Sequence, residues 1–263
     1  MFNYFLSKLK LFKNLIILVL ARFPYRPINK IRRNKLLKYE RFISFFSIYE
    51  KDNHLLKIFD NSTSQFYQDL FVLSNLDYKR GGFFVEMGAC DGVDISNTLV
   101  LEKYFGWDGI LVEPSKFYHK NLRKNRSCNI DLRCVYKISG EKIVFNSTKN
   151  PSISTIDSFS SLDRFKLDRY GGEKYSVETV SLNDLLKYHN APKVIDYLSL
   201  DTEGSEFEIL KHFNFDDYNI KVITVEHNYT TNRELIYNLL KSKNYKRVLK
   251  EYSRCDDFYI FNS

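Results

Sequence analysis

The chain has 263 residues, 44% hydrophobic and 16% aromatic, which suffices for a sizeable buried core and excludes a disordered or low-complexity chain. The net charge of +8 comes from residues 1–60, which carry 13 Lys and Arg against 4 Asp and Glu, whereas residues 61–263 carry 27 against 28. Because residues 61–263 have no excess of positive charge, the composition argues against nucleic acid as a partner.

Residues 1–60 are predicted to form a basic N-terminal helical extension, separate from a domain at 61–263. The apolar run from Leu15 to Ala21 is shorter than the ~20 residues that cross a bilayer. The amphipathic pattern favours contact of residues 1–38 with an anionic membrane surface, with packing on protein as the alternative. Four cysteines without zinc-type spacing fit a reducing compartment. The sequence therefore predicts a cytoplasmic protein, either free or peripheral on the inner face of the membrane.

From residue 61 onward, apolar strands alternate with helices. The strands are predicted at 83–87, 109–113, 132–135, 142–145, 176–180, 194–200, 220–226, 245–251 and 257–261. The helices are predicted at 64–76, capped by Ser64, and at 96–104, 115–124, 181–189, capped by Ser181, 204–213 and 233–243, and residues 147–176 as a long loop. This alternation is typical of a doubly wound α/β fold, a mostly parallel sheet with helices on both faces. The last two strands are predicted to form an antiparallel pair at one edge.

Residues just beyond the strands are the candidates for a ligand site, because ligands of doubly wound sheets bind at the carboxyl ends of the strands. The loop after the first strand contains Gly88 and Gly92 with the acids Glu86 and Asp91 beside them. It lacks a GxGxxG fingerprint, and carboxylates are poor neighbours for a pyrophosphate. Glu113 follows the second strand, 25 residues beyond Gly88, where an acid can bind the hydroxyls of a ribose. These features together favour S-adenosylmethionine, which has a ribose and an amino group but no phosphate.

Acidic residues also follow two later strands. Asp201, Glu203 and Glu206 stand within six residues, and Glu226 and His227 end another strand. Such a concentration is costly unless the acids face solvent, a cation or a substrate. Asp201, Glu203, Glu226 and His227 are therefore the candidate catalytic bases, with Asp201 nearest the expected methyl position. Three of them, Asp201, Glu203 and Glu226, are also the candidate ligands for Mg²⁺, although metal dependence is not expected.

From Ser64 to the C-terminus, the chain resembles an FkbM-type methyltransferase domain, a class I S-adenosylmethionine-dependent family. The matching segments are Ser64-Gln-x-x-Gln68-Asp69, Phe84-Val-Glu-x-Gly88-Ala-x-Asp-Gly92, Ser96-Asn97-Thr98, Gly106-Trp107-x-Gly-Ile-Leu-Val-Glu113-Pro114, Asp201-Thr-Glu203-Gly204-x-Glu206 and Val225-Glu226-His227-Asn228. The resemblance implies a seven-stranded Rossmann-like sheet and methyl transfer to a hydroxyl, commonly of a sugar, glycan or related metabolite. It implies cofactor contacts by Glu86, Gly88, Ala89, Asp91, Gly92, Asn97, Glu113 and Pro114. Glu86 departs from the Asp of many members, and Cys90 from a frequent Asn.

Two other functions are compatible with the sequence. A membrane-proximal glycosyltransferase would use Asp201 and Glu203 as a metal-binding pair, but it has no need for the glycine loop with acidic neighbours. A non-catalytic partner module would be expected to have lost the cofactor loop, which is intact. The predicted loop at 147–176, with Phe159, Phe165 and Tyr170, is expected to cover the acceptor side of the site.

Overall fold

The computed structural model describes residues 58–262, and the described residues from Asn61 onward form one compact unit. The predicted N-terminal helix and its membrane contact lie outside the described residues. Within residues 58–262, no helix combines the length and the apolar character that a membrane span requires.

The strands and helices alternate along the described chain as predicted from Phe83 onward. The strands are β1 Phe83–Met87, β2 Asp108–Val112, β3 Asn129–Asp131, β4 Cys134–Tyr136, β5 Lys142–Ser147, β6 Thr155–Ile156, β7 Glu173–Ser181, β8 Val194–Leu200, β9 Asn219–Glu226, β10 Tyr245–Val248 and β11 Asp256–Phe261. The α-helices are α1 Gln68–Asn75, α2 Leu99–Phe105, α3 His119–Asn125, α4 Leu182–Tyr188, α5 Glu206–Lys211 and α6 Asn232–Ser242. Single 3₁₀ turns occupy Phe59–Asn61, Pro151–Ile153 and Asp157–Phe159.

The main sheet has seven strands in the order β10-β11-β9-β8-β1-β2-β3. The five strands from β9 to β3 are parallel, and β11 pairs antiparallel with both β9 and β10. Right-handed connections place α2 and α3 on one face and α5 on the other, since the chain moves outward from β1 in one direction and from β8 in the opposite direction. The predicted seven-stranded, mostly parallel sheet with helices on both faces is confirmed.

Burial on both faces explains why the parallel strands are continuous apolar runs. In β8 every residue after Val194 is buried, and Leu198 packs in one core with Val85, Ile110 and Ile223 of the neighbouring strands. This core fixes the relative positions of the strand ends, where the site residues stand.

A second, four-stranded sheet, in the order β4-β7-β5-β6, was not predicted. Residues 147–176, predicted as a long loop, contain β6, two 3₁₀ turns and the first part of β7. The predicted strand at 132–135 is wrong in its bounds, because Asp131 binds the backbone N–H of Arg133 at 2.9 Å and ends β3 there. We call residues 148–172, between β5 and β7, the insertion.

The predicted cap of the first helix is wrong. Ser64 donates its hydroxyl to Oδ1 of Asp69 at 2.5 Å instead of accepting a backbone N–H, and α1 begins only at Gln68. The predicted cap of α4 is confirmed, since the Ser181 hydroxyl accepts the backbone N–H of Asp184 at 3.2 Å. Both residues suit an N-cap by composition, but only Ser181 directly precedes its helix, whereas Ser64 forms an isolated β-bridge with Ile95.

Candidate functional site

A cavity of about 250 Å³ opens at the carboxyl ends of β1, β2, β8 and β9, and the insertion forms its opposite wall. The predicted site residues that line this cavity are Glu86, Gly88, Ala89, Asn97, Glu113, Pro114, Asp201, Glu203 and Glu226. Those that do not line it are Asp91, Gly92 and His227. Residues predicted from five separate stretches of sequence therefore meet at one place.

Gly88 lies where β1 and β8 come closest. Its φ is +81°, and a Cβ atom there would stand 1.8 Å from the carbonyl oxygen of Asp201. The backbone N–H of Asp201 donates to Met87 at 3.1 Å, which holds the two strand ends together. The absence of a side chain at Gly88 thus sets the position of Asp201.

Glu86 is buried and its carboxylate is held by the chain itself. It accepts the backbone N–H of Asn97 at 2.7 Å, the hydroxyl of Ser96 at 3.0 Å and the hydroxyl of Thr98, and Arg126 lies 3.7 Å away. These bonds keep residues 96–98 out of a helix, so α2 begins at Leu99 and not at the predicted position. Glu86 therefore positions the loop that brings Asn97 to the cavity.

The polar groups of the predicted glycine loop form hydrogen bonds within the protein. Asp91 accepts the backbone N–H groups of Val93 and Asp94 at 2.9 and 2.8 Å, and a Cβ at Gly92 would meet Cγ of Arg126 at 2.5 Å. Backbone N–H groups that donate within the protein are those of Gly88, Ala89, Cys90, Gly92, Val93, Asp94, Ser96 and Asn97. A phosphate would find none of these donors free.

Glu113 is buried at the end of β2. Its Oε2 accepts the backbone N–H of Cys90 at 2.8 Å and its Oε1 accepts that of Ser115 at 2.7 Å. Burial raises the pKa of this carboxyl to about 7, against the effect of the two N–H donors. Each oxygen keeps a second lone pair, so the carboxylate can accept two further hydrogen bonds from a ligand.

Asp201 and Glu226 face one another at the floor of the cavity. Loss of solvation raises the pKa of both carboxyls well above the usual range, and their mutual repulsion adds to the rise for Glu226. Glu226 is buried, and its Oε2 has no hydrogen-bond partner. Two carboxyls in this arrangement share a proton, so one is neutral and the other can accept a proton.

Glu203 connects this acidic floor to the insertion. Its Oε2 accepts hydrogen bonds from Nη2 of Arg169 at 2.6 Å and from Nδ2 of Asn228 at 3.2 Å. Burial raises the pKa of Glu203 to about 8, and the guanidinium of Arg169 opposes the rise. Arg169 is fully buried and also donates to the carbonyl of Ile153 and to Asp163 at 2.8 and 2.9 Å.

The insertion places one of its three predicted aromatic residues at the site. Phe165 lines the cavity, together with residues 150–154. Phe159 instead packs against Tyr136, with ring centroids 6.2 Å apart, and Tyr170 is 89% exposed. The wall opposite the strands thus combines one ring, small apolar groups, hydroxyls, the amide of Asn150 and the guanidinium of Arg164.

His227 lies outside the cavity. Its Nδ1 accepts the backbone N–H of Tyr229 at 3.0 Å, and its Nε2 stands 3.7 Å from Oδ1 of Asp257. Burial lowers the pKa of the imidazole to about 4, so it is neutral near pH 7. Its ring orients the chain after β9 and does not face the site.

The sequence matches the model of the methyltransferase FkbM domain over residues 86–252. The chain belongs to the FkbM methyltransferase family. It is thus an S-adenosylmethionine-dependent methyltransferase, and the predicted family is confirmed. No curated protein matches the chain.

Solved structures similar to this chain include several methyltransferases. They include a precorrin-6y C5,15-methyltransferase from Geobacter metallireducens, with 12% identity, a TM-score of 0.38 and coverage of 73% of this chain and 85% of that one. A ribosomal protein L11 methylase from Lactobacillus delbrueckii has 9% identity, a TM-score of 0.36 and coverage of 73% and 74%. A Haemonchus contortus N-methyltransferase, solved with phosphomonomethylethanolamine and S-adenosylhomocysteine, has 12% identity, a TM-score of 0.36 and coverage of 88% and 48%. All three scores are below 0.5, and the assignment rests on the family match.

Several residues of this FkbM site had no signal in the sequence. Arg126 and Arg169 are fully buried in the structure, yet each stands in a polar stretch that is typical of a surface loop. Ser199 alternates with apolar residues inside β8 and accepts the amide of Asn97 at 2.9 Å. The Asp-x-Glu-Gly-x-Glu element, by contrast, was visible in the sequence: its Glu206 accepts the N–H groups of Thr202 and Gly204 at 2.8 and 3.1 Å and starts α5.

Proposed function

We propose that this FkbM domain transfers a methyl group from S-adenosylmethionine to a hydroxyl of a sugar, glycan or related small molecule. The observation that supports the proposal is that one cavity contains both Glu113, at the end of β2, and the facing pair Asp201 and Glu226, at the ends of β8 and β9. The first acid suits the ribose of the donor. The pair suits removal of the proton from an acceptor hydroxyl.

The cavity residues fit the donor. Asn97 donates its Nδ2 to Ser199, but its buried Oδ1 has no partner, and a cationic amino group at that point would supply one. Glu113 offers free lone pairs to the two ribose hydroxyls. The apolar part of the lining, which suits a purine ring, is Val112, Cys134, Val135, Phe145 and Ile156. When bound, S-adenosylmethionine supplies a methyl group that is already activated.

Asp201 is the base in this proposal. The chain holds the acceptor hydroxyl beside the carboxylate, which accepts the hydroxyl proton as the O–C bond forms and the S–CH₃ bond breaks, with the thioether as the leaving group. The raised pKa strengthens Asp201 as a proton acceptor, and the neutral partner Glu226 can donate a hydrogen bond that keeps it in place. The polar groups of residues 150–154 and the ring of Phe165 suit one face of a sugar.

The affinity for S-adenosylhomocysteine is expected to fall as the pH is lowered from about 8 to about 6. The ribose hydroxyls need an ionised Glu113, and its pKa of about 7 means that the carboxylate becomes protonated across this interval. Burial raises the pKa of Cys90, Tyr118 and Cys134, so these neighbours remain neutral, and burial lowers the pKa of His119. Calorimetric titration at several pH values measures the effect.

The matched variant is Glu113→Gln. An amide nitrogen would face one of the two backbone donors, so the affinity should drop about 10- to 100-fold, as expected for loss of hydrogen bonds to a charged group. Its remaining affinity should depend less steeply on pH in this interval, where Glu203, with a pKa of about 8, still titrates in the same cavity. If the variant kept the same pH dependence as the wild-type protein, Glu113 would not be the group that contacts the donor.

Methyl transfer is expected to persist after dialysis against EDTA. The carboxylate oxygens of Asp201, Glu203 and Glu226 lie within 4.8 Å of one another, but Arg169 and Asn228 already occupy one oxygen of Glu203. The proposal therefore assigns no step to a metal. The measurement is transfer of labelled methyl groups from S-adenosylmethionine into a small-molecule extract of cells that lack this protein. Activity that is lost with EDTA and restored by Mg²⁺ would reject a metal-free reaction.

Calorimetry also separates methyl transfer from the rival glycosyltransferase function. The proposal predicts that S-adenosylhomocysteine binds and that UDP or GDP with Mn²⁺ does not, because eight backbone N–H groups of residues 88–97 already donate within the protein. Binding of a nucleoside diphosphate without binding of S-adenosylhomocysteine would overturn the proposed function.

A further inference from the structure

The charge of the cavity lining is strongly one-sided. Carboxylates line it at six positions, which are Glu86, Asp94, Glu113, Asp201, Glu203 and Glu226. Among the described residues that line the cavity, Arg164 is the one with a positive charge. An anionic ligand would be repelled by the strand side of the cavity and attracted only towards this arginine on the insertion.

Arg164 has no acidic partner to neutralise it. None of the ion pairs found within residues 58–262 includes it, and its side chain is exposed. Its guanidinium instead lies 4.6 Å from the ring centroid of Phe165 and 5.6 Å from that of Tyr229. Two aromatic faces hold the planar group in place and leave its N–H donors unused.

The other arginine of the insertion has a different role. Arg169 is fully buried, and its guanidinium is paired with the carboxylates of Asp163 and Glu203. The ion pair between Arg169 and Glu203 attaches the insertion to the loop after β8. A second link is the hydrogen bond that the Thr155 hydroxyl donates to the Glu203 carbonyl at 2.9 Å. Arg164 is therefore carried on a wall with a fixed position relative to Asp201.

Arg164 also affects Cys255, a residue that lines the cavity beside Glu226. Burial raises the pKa of Cys255, which lines the cavity, and the guanidinium of Arg164 opposes that rise. Cys255 offers its thiol within 4.8 Å of the Glu226 carboxylate. Arg164 and the acidic pair thus line the same cavity, in which Arg164 belongs to the wall formed by the insertion, whereas Glu113 and Asn97 stand on strand and loop residues of the donor side.

We propose that Arg164 binds an anionic group, a phosphate or a carboxylate, of the acceptor that presents its hydroxyl to Asp201. The proposal rests on the methyl-transfer function and narrows its acceptor to an anionic hydroxyl compound. A guanidinium binds both oxyanions through paired N–H donors. Phosphate and carboxylate acceptors share this chemistry, and two probes distinguish them.

The first test uses the protein saturated with S-adenosylhomocysteine and titrated, at constant ionic strength, with inorganic phosphate or with malonate. We expect the dissociation constant of at least one probe to rise tenfold or more in Arg164→Gln. The control is Lys166→Gln, which removes an exposed cation of the same insertion that does not line the cavity, and it should match the wild-type protein within twofold. The preferred probe identifies the oxyanion, and equal binding by all three proteins overturns the proposal.

The second test measures binding of S-adenosylhomocysteine by Arg164→Gln. We expect a dissociation constant within twofold of the wild-type value; a tenfold rise would assign Arg164 to the donor and overturn the proposal. If the wild-type protein itself does not bind S-adenosylhomocysteine, it is the methyl-transfer function that fails. The labelled product from the cell extract should be retained by an anion-exchange resin, and a labelled product in the unretained fraction would also overturn the proposal.

Discussion

Asp201→Asn is expected to lower the rate of methyl transfer about 1,000-fold, the scale of a general base. Asparagine preserves the shape of the side chain and can donate a hydrogen bond to Glu226, but it cannot accept the hydroxyl proton. The donor contacts assigned to Glu113 and Asn97 are unaffected, so the affinity for S-adenosylhomocysteine should stay within about threefold, less than one hydrogen bond contributes. Labelled methyl transfer into the extract of cells lacking the protein measures the rate, and calorimetry the affinity.

The matched control is Asp216→Asn, which removes an exposed carboxylate at the opposite end of the sheet. Its rate and its affinity should both equal those of the wild-type protein. A rate for Asp201→Asn within a few-fold of wild type would remove Asp201 from the mechanism. A joint loss of rate and affinity would show instead that Asp201 supports the shape of the donor site.

Strands buried on both faces were predictable, and short polar strands were not. The predicted bounds of β8 agree with the structure, because an apolar run of this length is flanked by Lys193 and Asp201. β3 is only Asn129–Asp131 and has two polar residues out of three, so nothing in its composition distinguishes it from a loop. Its place in the sheet comes from pairing with β2, a long-range contact that local sequence does not encode.

The site residues at strand ends were predictable because the topology brings all parallel strand ends to one edge. Glu113 and Asp201 needed only the bounds of β2 and β8 to be placed there. His227 follows Glu226 directly, but consecutive residues of an extended chain point to opposite sides, so only one of the two can face the cavity. The sequence offered both as candidate bases, and the structure turns the imidazole towards Asp257.

The supporting arginines depend on contacts that no local pattern reveals. Arg126 bonds to Glu102 and to residues 96–98, more than 20 positions earlier in the chain, and Arg169 bonds to Glu203, 34 positions later. A buried arginine is stable only when such partners are in place. Sequence composition, which treats an arginine in a polar stretch as solvent-exposed, therefore misses both.

The two glycines of the predicted loop lack a side chain for different steric reasons. Gly92 makes room for Cγ of Arg126 and the side chain of Leu122, both of which are side-chain atoms. Gly88 makes room for the backbone carbonyl of Asp201, which cannot move unless the end of β8 moves with it. The resemblance to the family implied cofactor contacts at both positions. In the structure, close approach by the chain itself accounts for both, and only Gly88 lines the cavity.

Gly88→Ala is expected to lower the free energy of unfolding by about 3 kcal/mol or more, an effect typical of severe steric conflict. The methyl group would stand 1.8 Å from the Asp201 carbonyl oxygen, so the ends of β1 and β8 must separate. That separation displaces the base and the floor of the donor site together. Binding of S-adenosylhomocysteine should become undetectable in any fraction that folds, as measured by urea denaturation with and without the ligand.

Gly140→Ala separates the steric conflict from the cost of the backbone conformation. Gly140 has a φ of +82°, almost the same as the +81° of Gly88, but no atom lies within 4 Å of the position of its Cβ. This variant should therefore lose only about 1 kcal/mol, the conformational cost of a side chain in the left-handed region, and should bind S-adenosylhomocysteine normally. A similar loss in both variants would mean that backbone conformation alone requires Gly88, and that the contact between β1 and β8 can relax without disturbing the site.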